Sequence, residues 1–137
     1  MADTVEFELV SPARLLMSRS AGMVVVPGSE GDFGVLPGHA PLISTVRPGV
    51  IAVFENGNVI DRIFVAGGFA EVTAERCTVL AEEAMPVSDI DRAATEKLAQ
   101  NCREELAAAT DDVARAAITH RLAVAEAKLA AVDHPVY

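Results

Sequence analysis

The chain has 137 residues, 51% hydrophobic and 23% charged, so a disordered or collagen-like polymer is excluded and one core with a small appendage is expected. Eleven basic residues stand against 20 acidic ones, a net charge of −9 that repels phosphate backbones and argues against a nucleic-acid partner. The longest stretch free of charge, Phe33 to Val46, is 14 residues broken by Gly34, Pro37, Gly38 and Pro41; it is too short for a spanning helix, so no direct membrane insertion is expected.

Asp3, Glu6 and Glu8 stand where a secretory signal needs a basic patch and an apolar run, so the protein is expected to stay where it is made. Val5, Phe7 and Leu9 alternate with Glu6 and Glu8, the pattern of a strand with one apolar and one wet face, for which an antiparallel sheet is expected. Further strands are predicted over Met23 to Val26, Val50 to Phe54, Val59 to Ala66, Phe69 to Thr73 and Cys77 to Ala81. Their spacing suggests a sandwich or barrel. Pro27-Gly28, Pro37-Gly38 and Pro48-Gly49 predict type II turns, and Asn56-Gly57 a tight type I′ hairpin. Gly67-Gly68 reads as a bulge or as a close approach of two backbones, with the bulge favoured.

All nine glycines lie at or before Gly68, whereas residues 87 to 137 hold 14 of the 24 alanines and suit helices. This composition places a domain boundary at Pro86, with a β domain over 1–86 and a helical domain over 87–137. Ser88, followed by Asp91, predicts the first helix start. Ile90, Ala94, Leu98, Cys102 and Leu106 form its apolar stripe. Thr110-Asp111-Asp112 predicts the second start, with Asp111 and Arg115 spaced to pair. Ala114, Ile118, Leu122, Ala125, Leu129 and Val132 form the second stripe. Two such stripes joined by a short connection predict an antiparallel hairpin with a thin core.

Chemistry-bearing residues are sparse: three histidines (His39, His120, His134), two lysines and two cysteines, with no nucleophile elbow, zinc-protease motif or phosphate loop. No catalytic residue, metal site or required cofactor is expected. Cys77 and Cys102 read as buried thiols. His39 is either a turn residue whose ring bonds nearby backbone or a surface contact. Ser29-Glu30-Gly31-Asp32 is either a solvated acidic turn or the address of a basic partner.

The run from Val26 to Ile43, with Pro37-Gly38-His39-Ala40-Pro41 at its centre, followed by Arg47-Pro48-Gly49 and Ala66-Gly67-Gly68-Phe69, closely resembles the epsilon subunit of F-type ATP synthases. The likeness extends over nearly the full sequence, from Phe7-Glu8-Leu9-Val10-Ser11-Pro12 through Thr78-Val79-Leu80-Ala81-Glu82 to the two helices. It implies an antiparallel β-sandwich of about ten strands with a C-terminal helical hairpin. The implied function is a non-catalytic rotor subunit that joins the gamma subunit to the c ring and couples proton translocation to ATP synthesis. Implied c-ring contacts are Ser29, Glu30, Asp32 and His39, and implied gamma contacts are Ser11, Ala40, Leu42 and Ile43. The implied location is the cytoplasmic face of the bacterial inner membrane, as a peripheral part of the complex, and the hairpin is implied to reach the alpha and beta subunits.

Some relatives bind ATP through Ile or Leu followed by Asp-x-x-Arg-Ala. Asp89-Ile90-Asp91-Arg92-Ala93 keeps the last part, so Asp89 and Arg92 are the candidate ATP contacts, with Ser88 in the aliphatic position. The second helix carries Arg115, Arg121 and Lys128 against Asp111, Asp112, Glu126 and Asp133. Competing readings are a nucleotide-sensing regulatory domain using Asp89 and Arg92, and a small-molecule enzyme using His39 and Asp32.

Overall fold

The structure, a computed structural model, describes residues 3–137. Ten strands form its first part: β1 (Val5–Val10), β2 (Leu15–Ala21), β3 (Met23–Gly28), β4 (Gly31–Val35), β5 (Leu42–Val46), β6 (Gly49–Glu55), β7 (Asn58–Val65), β8 (Gly68–Val72), β9 (Arg76–Ala81) and β10 (Ala84–Pro86). A short 3-10 helix (Val87–Asp89) precedes helices α1 (Arg92–Ala108) and α2 (Asp112–Asp133). Two compact units result, one of residues up to Pro86 together with Tyr137, the other Val87–Val136.

The strands pair in the order β10-β7-β6-β3-β5-β8-β9-β1-β2, with β4 also on β3. Val5, Phe7 and Leu9 point inward as their alternation predicts, and join Val24, Val26, Ile51, Val53, Val65, Val72 and Val79 in a closed apolar core. One pairing departs from the expected antiparallel pattern: β1 lies parallel to β9, with Phe7 opposite Cys77 and Leu9 opposite Val79. A wet outer face permits either pairing direction, because alternation fixes only which side of a strand is buried.

Turn chemistry explains part of the register. Asn56 (φ 52°) and Gly57 (φ 78°) both take positive φ and set Glu55 opposite Asn58, as a type I′ hairpin requires. Of the three Pro-Gly pairs only Pro37-Gly38 places its glycine at positive φ; Gly28 and Gly49 lie within β3 and β6. The register shifts fall at Leu9/Val10 and Val53/Phe54. Gly67-Gly68 carries none, and β8 pairs regularly from Gly68 onward. Close backbone approach is the reason for Gly68, because a Cβ there would overlap the Leu80 carbonyl oxygen.

In the helical unit, α1 starts later than Ser88 implies: Asp91 is its N-cap and accepts from the Ala94 N–H at 3.0 Å. Asp111 caps α2 in the same way through the Ala114 N–H at 3.0 Å. The buried face of α1 carries Thr95, Ala99 and Cys102, while Ala94 and Leu98 of the expected stripe are exposed. The i, i+4 stripe drifts around a helix of 3.6 residues per turn, and the neighbouring i, i+4, i+7 row faces α2 instead. On α2 the expected row holds for Ile118 and Ala125, with Leu122, Leu129 and Val132 half-buried and Ala114 exposed.

Both cysteines are free and buried. Burial pushes the Cys77 thiol up to about 12 and starves it of thiolate. The native protein should therefore resist iodoacetamide at about pH 8 and label at two sites only in denaturant. Fast labelling of the native protein would contradict this packing.

Candidate functional site

The surface with the greatest capacity for a partner lies on the outer face of β2, β1, β9 and β8. Register places Leu15 opposite Val10, Val10 beside Leu80, Leu80 opposite Phe69 and Phe69 opposite Thr45, so these side chains form one row across five strands. Their inward neighbours, Leu9, Val79 and Ala70, are buried, which commits the row to the outside. Leu15 is 53% exposed, Leu80 50% and Phe69 57%, while Ile43, one outward position along β5 from Thr45, is 77% exposed. A contiguous apolar row of this kind on an acidic protein marks an interaction surface.

At the same end of the sandwich stands the β3–β4 hairpin turn. Thr45 Oγ1 donates to Ser29 Oγ at 2.7 Å, linking the end of the row to the turn. Arg47 braces this turn from just after β5: NH1 donates to the Gly28 carbonyl and NH2 to Asp32 Oδ1, each at 2.6 Å. Tyr137 Oη donates to Asp32 Oδ2 at 2.7 Å. Partial burial alone would raise the Asp32 pKa, but the hydrogen bonds from Tyr137 and Arg47, with the Arg47 charge, hold the carboxyl below its usual 3.8. Asp32 is thus an internal strut, and Glu30, exposed at the turn, is the carboxylate directed to solvent.

Because its folded pKa is depressed, the Asp32 contribution to stability is complete above its ordinary titration range and is lost as pH falls through the folded value. Asp32→Asn should therefore flatten the acid limb of a stability-versus-pH curve below about pH 4. Urea midpoints measured across that range check it; parallel curves for the two proteins would contradict it.

The sequence-predicted contacts do not all meet. β4 leads away from the acidic turn and β5 returns to it, so the 36–41 loop lies at the far end, about 13 Å along a five-residue strand. There the Gly38 N–H donates to the Ala74 carbonyl, and His39 Nδ1 lies 2.6 Å from the Ala40 carbonyl oxygen. Ser29, Glu30 and Asp32 are therefore together, with His39 and Ala40 at the opposite end. Ser11, next after Val10, sits at the acidic-turn end and closes its own turn with Arg14. Leu42 and Ile43, adjacent on β5, face opposite sides of the sheet. Sequence reasoning missed Leu15, Phe69 and Leu80. Their signal was an apolar residue at an outward position, visible only once strand pairing is known.

In the helical unit, Asp89 ends the 3-10 helix and is exposed, and Arg92 is the first residue of α1. The Arg92 guanidinium is already engaged: Nε and NH2 donate to Asp133 Oδ1 and Oδ2 at 2.7 and 3.0 Å, and NH1 pairs with Glu96 at 2.9 Å. These partners raise the Arg92 pKa, and Arg92 in turn lowers that of Asp133. Any phosphate reaching Arg92 has to displace Asp133. Among the described residues, no group of three or more His, Cys, Asp or Glu side chains is placed to hold a metal ion.

Comparison with known proteins agrees with this architecture. The family model for the β-sandwich domain of the ATP synthase delta/epsilon chain matches residues 4–87, and the model for the C-terminal domain of the ATP synthase epsilon chain matches residues 91–135. The ATP synthase epsilon chain of Rhodospirillum rubrum is 55% identical over 131 residues, covering 96% of this chain and 98% of that protein. That of Rhodospirillum centenum is 58% identical over 134 residues, covering 94% and 92%. Among solved structures, a chain of the Euglena gracilis mitochondrial ATP synthase superposes with a TM-score of 0.84 over 96% of this chain and 83% of that one. At 23% identity this last is a likeness of fold. With both of its parts matched and its relatives aligned over nearly their whole length, the chain belongs to the ATP synthase epsilon-chain family.

Proposed function

We propose that this chain is the non-catalytic central-stalk subunit that joins the gamma subunit to the c ring of a proton-translocating ATP synthase and couples rotation to ATP synthesis. The observation that carries the reading is the row Leu15, Val10, Leu80 and Phe69 ending at the acidic turn Ser29-Glu30. An apolar row supplies affinity by leaving water, at about 25 cal/mol per Å² removed, and suits a large neighbour such as gamma, together with Ile43 and Ser11. A solvent-directed Glu30 suits basic loops of the c ring, where a rim charge fixes orientation more than it adds affinity. A sandwich with one closed, well-packed apolar core is stiff enough to suit the transmission of torque.

No helix among the described residues is long and apolar enough to cross a membrane. Attachment at the cytoplasmic face of the bacterial inner membrane then depends on the complex. The test is to mix the protein with the gamma subunit from the same source on a sizing column, with and without ATP. One stoichiometric complex, independent of ATP, is expected; separate elution at micromolar concentrations would overturn the reading.

A further inference from the structure

We propose that arginine contacts between its helices supplement the apolar seam that closes the helical hairpin, which makes the hairpin a latch that ionic strength loosens. The seam is modest: the fully buried residues are Thr95, Ala99 and Cys102 on α1 against Ile118, Ala125 and Ala131 on α2, with Leu106, Leu122, Leu129 and Val132 half-buried. The fully buried side chains other than Ile118 are small and bury little area, and most helical stability in a protein comes from packing of this kind.

Arginines span the length of the pair. At the open end Arg92 grips both oxygens of Asp133, at 2.7 and 3.0 Å. Farther along, Arg121 NH2 donates to Glu105 Oε2 at 2.8 Å. At the connection Arg115, spaced to pair with Asp111, instead sends NH1 to the carbonyls of Leu106 and Ala109 at 2.8 and 2.9 Å, satisfying groups that the end of α1 leaves open.

The placement of the Arg92–Asp133 pair distinguishes a latch from incidental surface charge. Arg92 is the first residue of α1, at the positive end of its dipole, and Asp133 is the last of α2, at the negative end of its own. Each charge alone disfavours its helix. The forked bond across the hairpin offsets both, beside the Arg92–Glu96 pair within α1, and a fork of this geometry is among the stronger surface ion pairs. These contacts are exposed, so counter-ions reach them, and the Debye length falls from about 10 Å at 0.1 M salt to about 3 Å at 1 M. Release frees the Arg92 guanidinium and uncovers the seam.

Hydrogen exchange on the full-length protein tests this. Between about 0.02 and 1 M sodium chloride, amides at 95–99 and 128–133 should exchange roughly threefold to tenfold faster, while β-strand amides stay unchanged. A hairpin held by its seam would show no change or slower exchange. At low salt Asp133→Asn should reproduce the loss, and Arg92→Asp combined with Asp133→Arg should match or exceed the wild type, because the swapped charges also suit both dipoles. If Asp133→Asn protects α2 as well as the wild type does, the dipole dominates and the latch is refuted. ATP at matched ionic strength should act no differently from sodium chloride; a distinct ATP effect would overturn screening in favour of a nucleotide-specific site at Arg92.

Discussion

Gly68→Ala is expected to cost about 4 kcal/mol, combining backbone strain with forced displacement, which removes much of the stability of an ordinary domain, about 5–15 kcal/mol, while leaving it folded. Gly68 opens β8, where the backbone leaves β7 for a different set of neighbours, at a φ of 148° that L side chains rarely adopt. The added methyl would overlap the Leu80 carbonyl oxygen and lie 2.9 Å from its carbon and 3.1 Å from Ala81 Cα. All three are backbone atoms of β9, so relief requires breaking the Gly68–Ala81 and Phe69–Leu80 pairings. Gly57→Ala is the control: its φ is 78° but nothing lies within 4 Å of the new carbon, so only the conformational cost of about 1–2 kcal/mol applies. Urea midpoints of the two variants measure the difference. Equal losses would mean that the contact with Leu80 is not what restricts the position.

Phe69→Glu is expected to weaken gamma binding at least 100-fold, about 2.7 kcal/mol, with little change in folding. The side chain is more than half exposed toward the β5 end of the row, with Leu80 on one side and Thr45 on the other, so the fold loses at most two cross-strand contacts of about 0.2–1 kcal/mol each. At an interface the same change buries an unpaired carboxylate where an aromatic anchor stood, which is the costliest kind of substitution there. Leu80→Glu should act in the same way and Val113→Glu, on an exposed position of α2, should not. Titration calorimetry against gamma, with circular dichroism to verify folding, separates the two effects. Undiminished binding by a folded Phe69→Glu protein would remove this row from the interface.

Much of the molecule was legible in the residues, for reasons that also explain what was missed. Val5, Phe7 and Leu9 betray β1 because its other face is charged, and Asn56-Gly57 betrays the β6–β7 hairpin because few sequences tolerate two positive φ values in succession. β2 (LLMSRSA) has no clean alternation, β4 (GDFGV) carries two glycines, and β10 is three residues long. Their pairing is imposed by neighbours already in place, which local pattern does not encode. The same limit applies to β1 beside β9: a parallel partner about 70 residues away leaves no mark on either strand.

The candidate site divides along similar lines. Composition and turn chemistry drew attention to Ser29-Glu30-Gly31-Asp32, but not to the way Arg47 would claim Asp32 and leave Glu30 outward. His39 and the acidic turn are close in sequence yet separated by the length of β5, because the intervening strand runs away from the turn. Phe69, Leu80 and Leu15 look like core residues in isolation; only register shows that each sits on the outer side of its strand. In the hairpin, Asp89 to Ala93 suggested an anion site, and the bond that Arg92 donates to Asp133 across 41 residues lay beyond local pattern.

The most direct test of the rotor assignment uses membrane vesicles whose ATP synthase has been stripped of its epsilon subunit. Adding this protein should restore respiration-driven ATP synthesis, and Phe69→Glu, folded but unable to seat on gamma, should restore little of it. No recovery with the wild-type protein despite stoichiometric rebinding would contradict a role in coupling, and full recovery with Phe69→Glu would take the row out of the gamma interface.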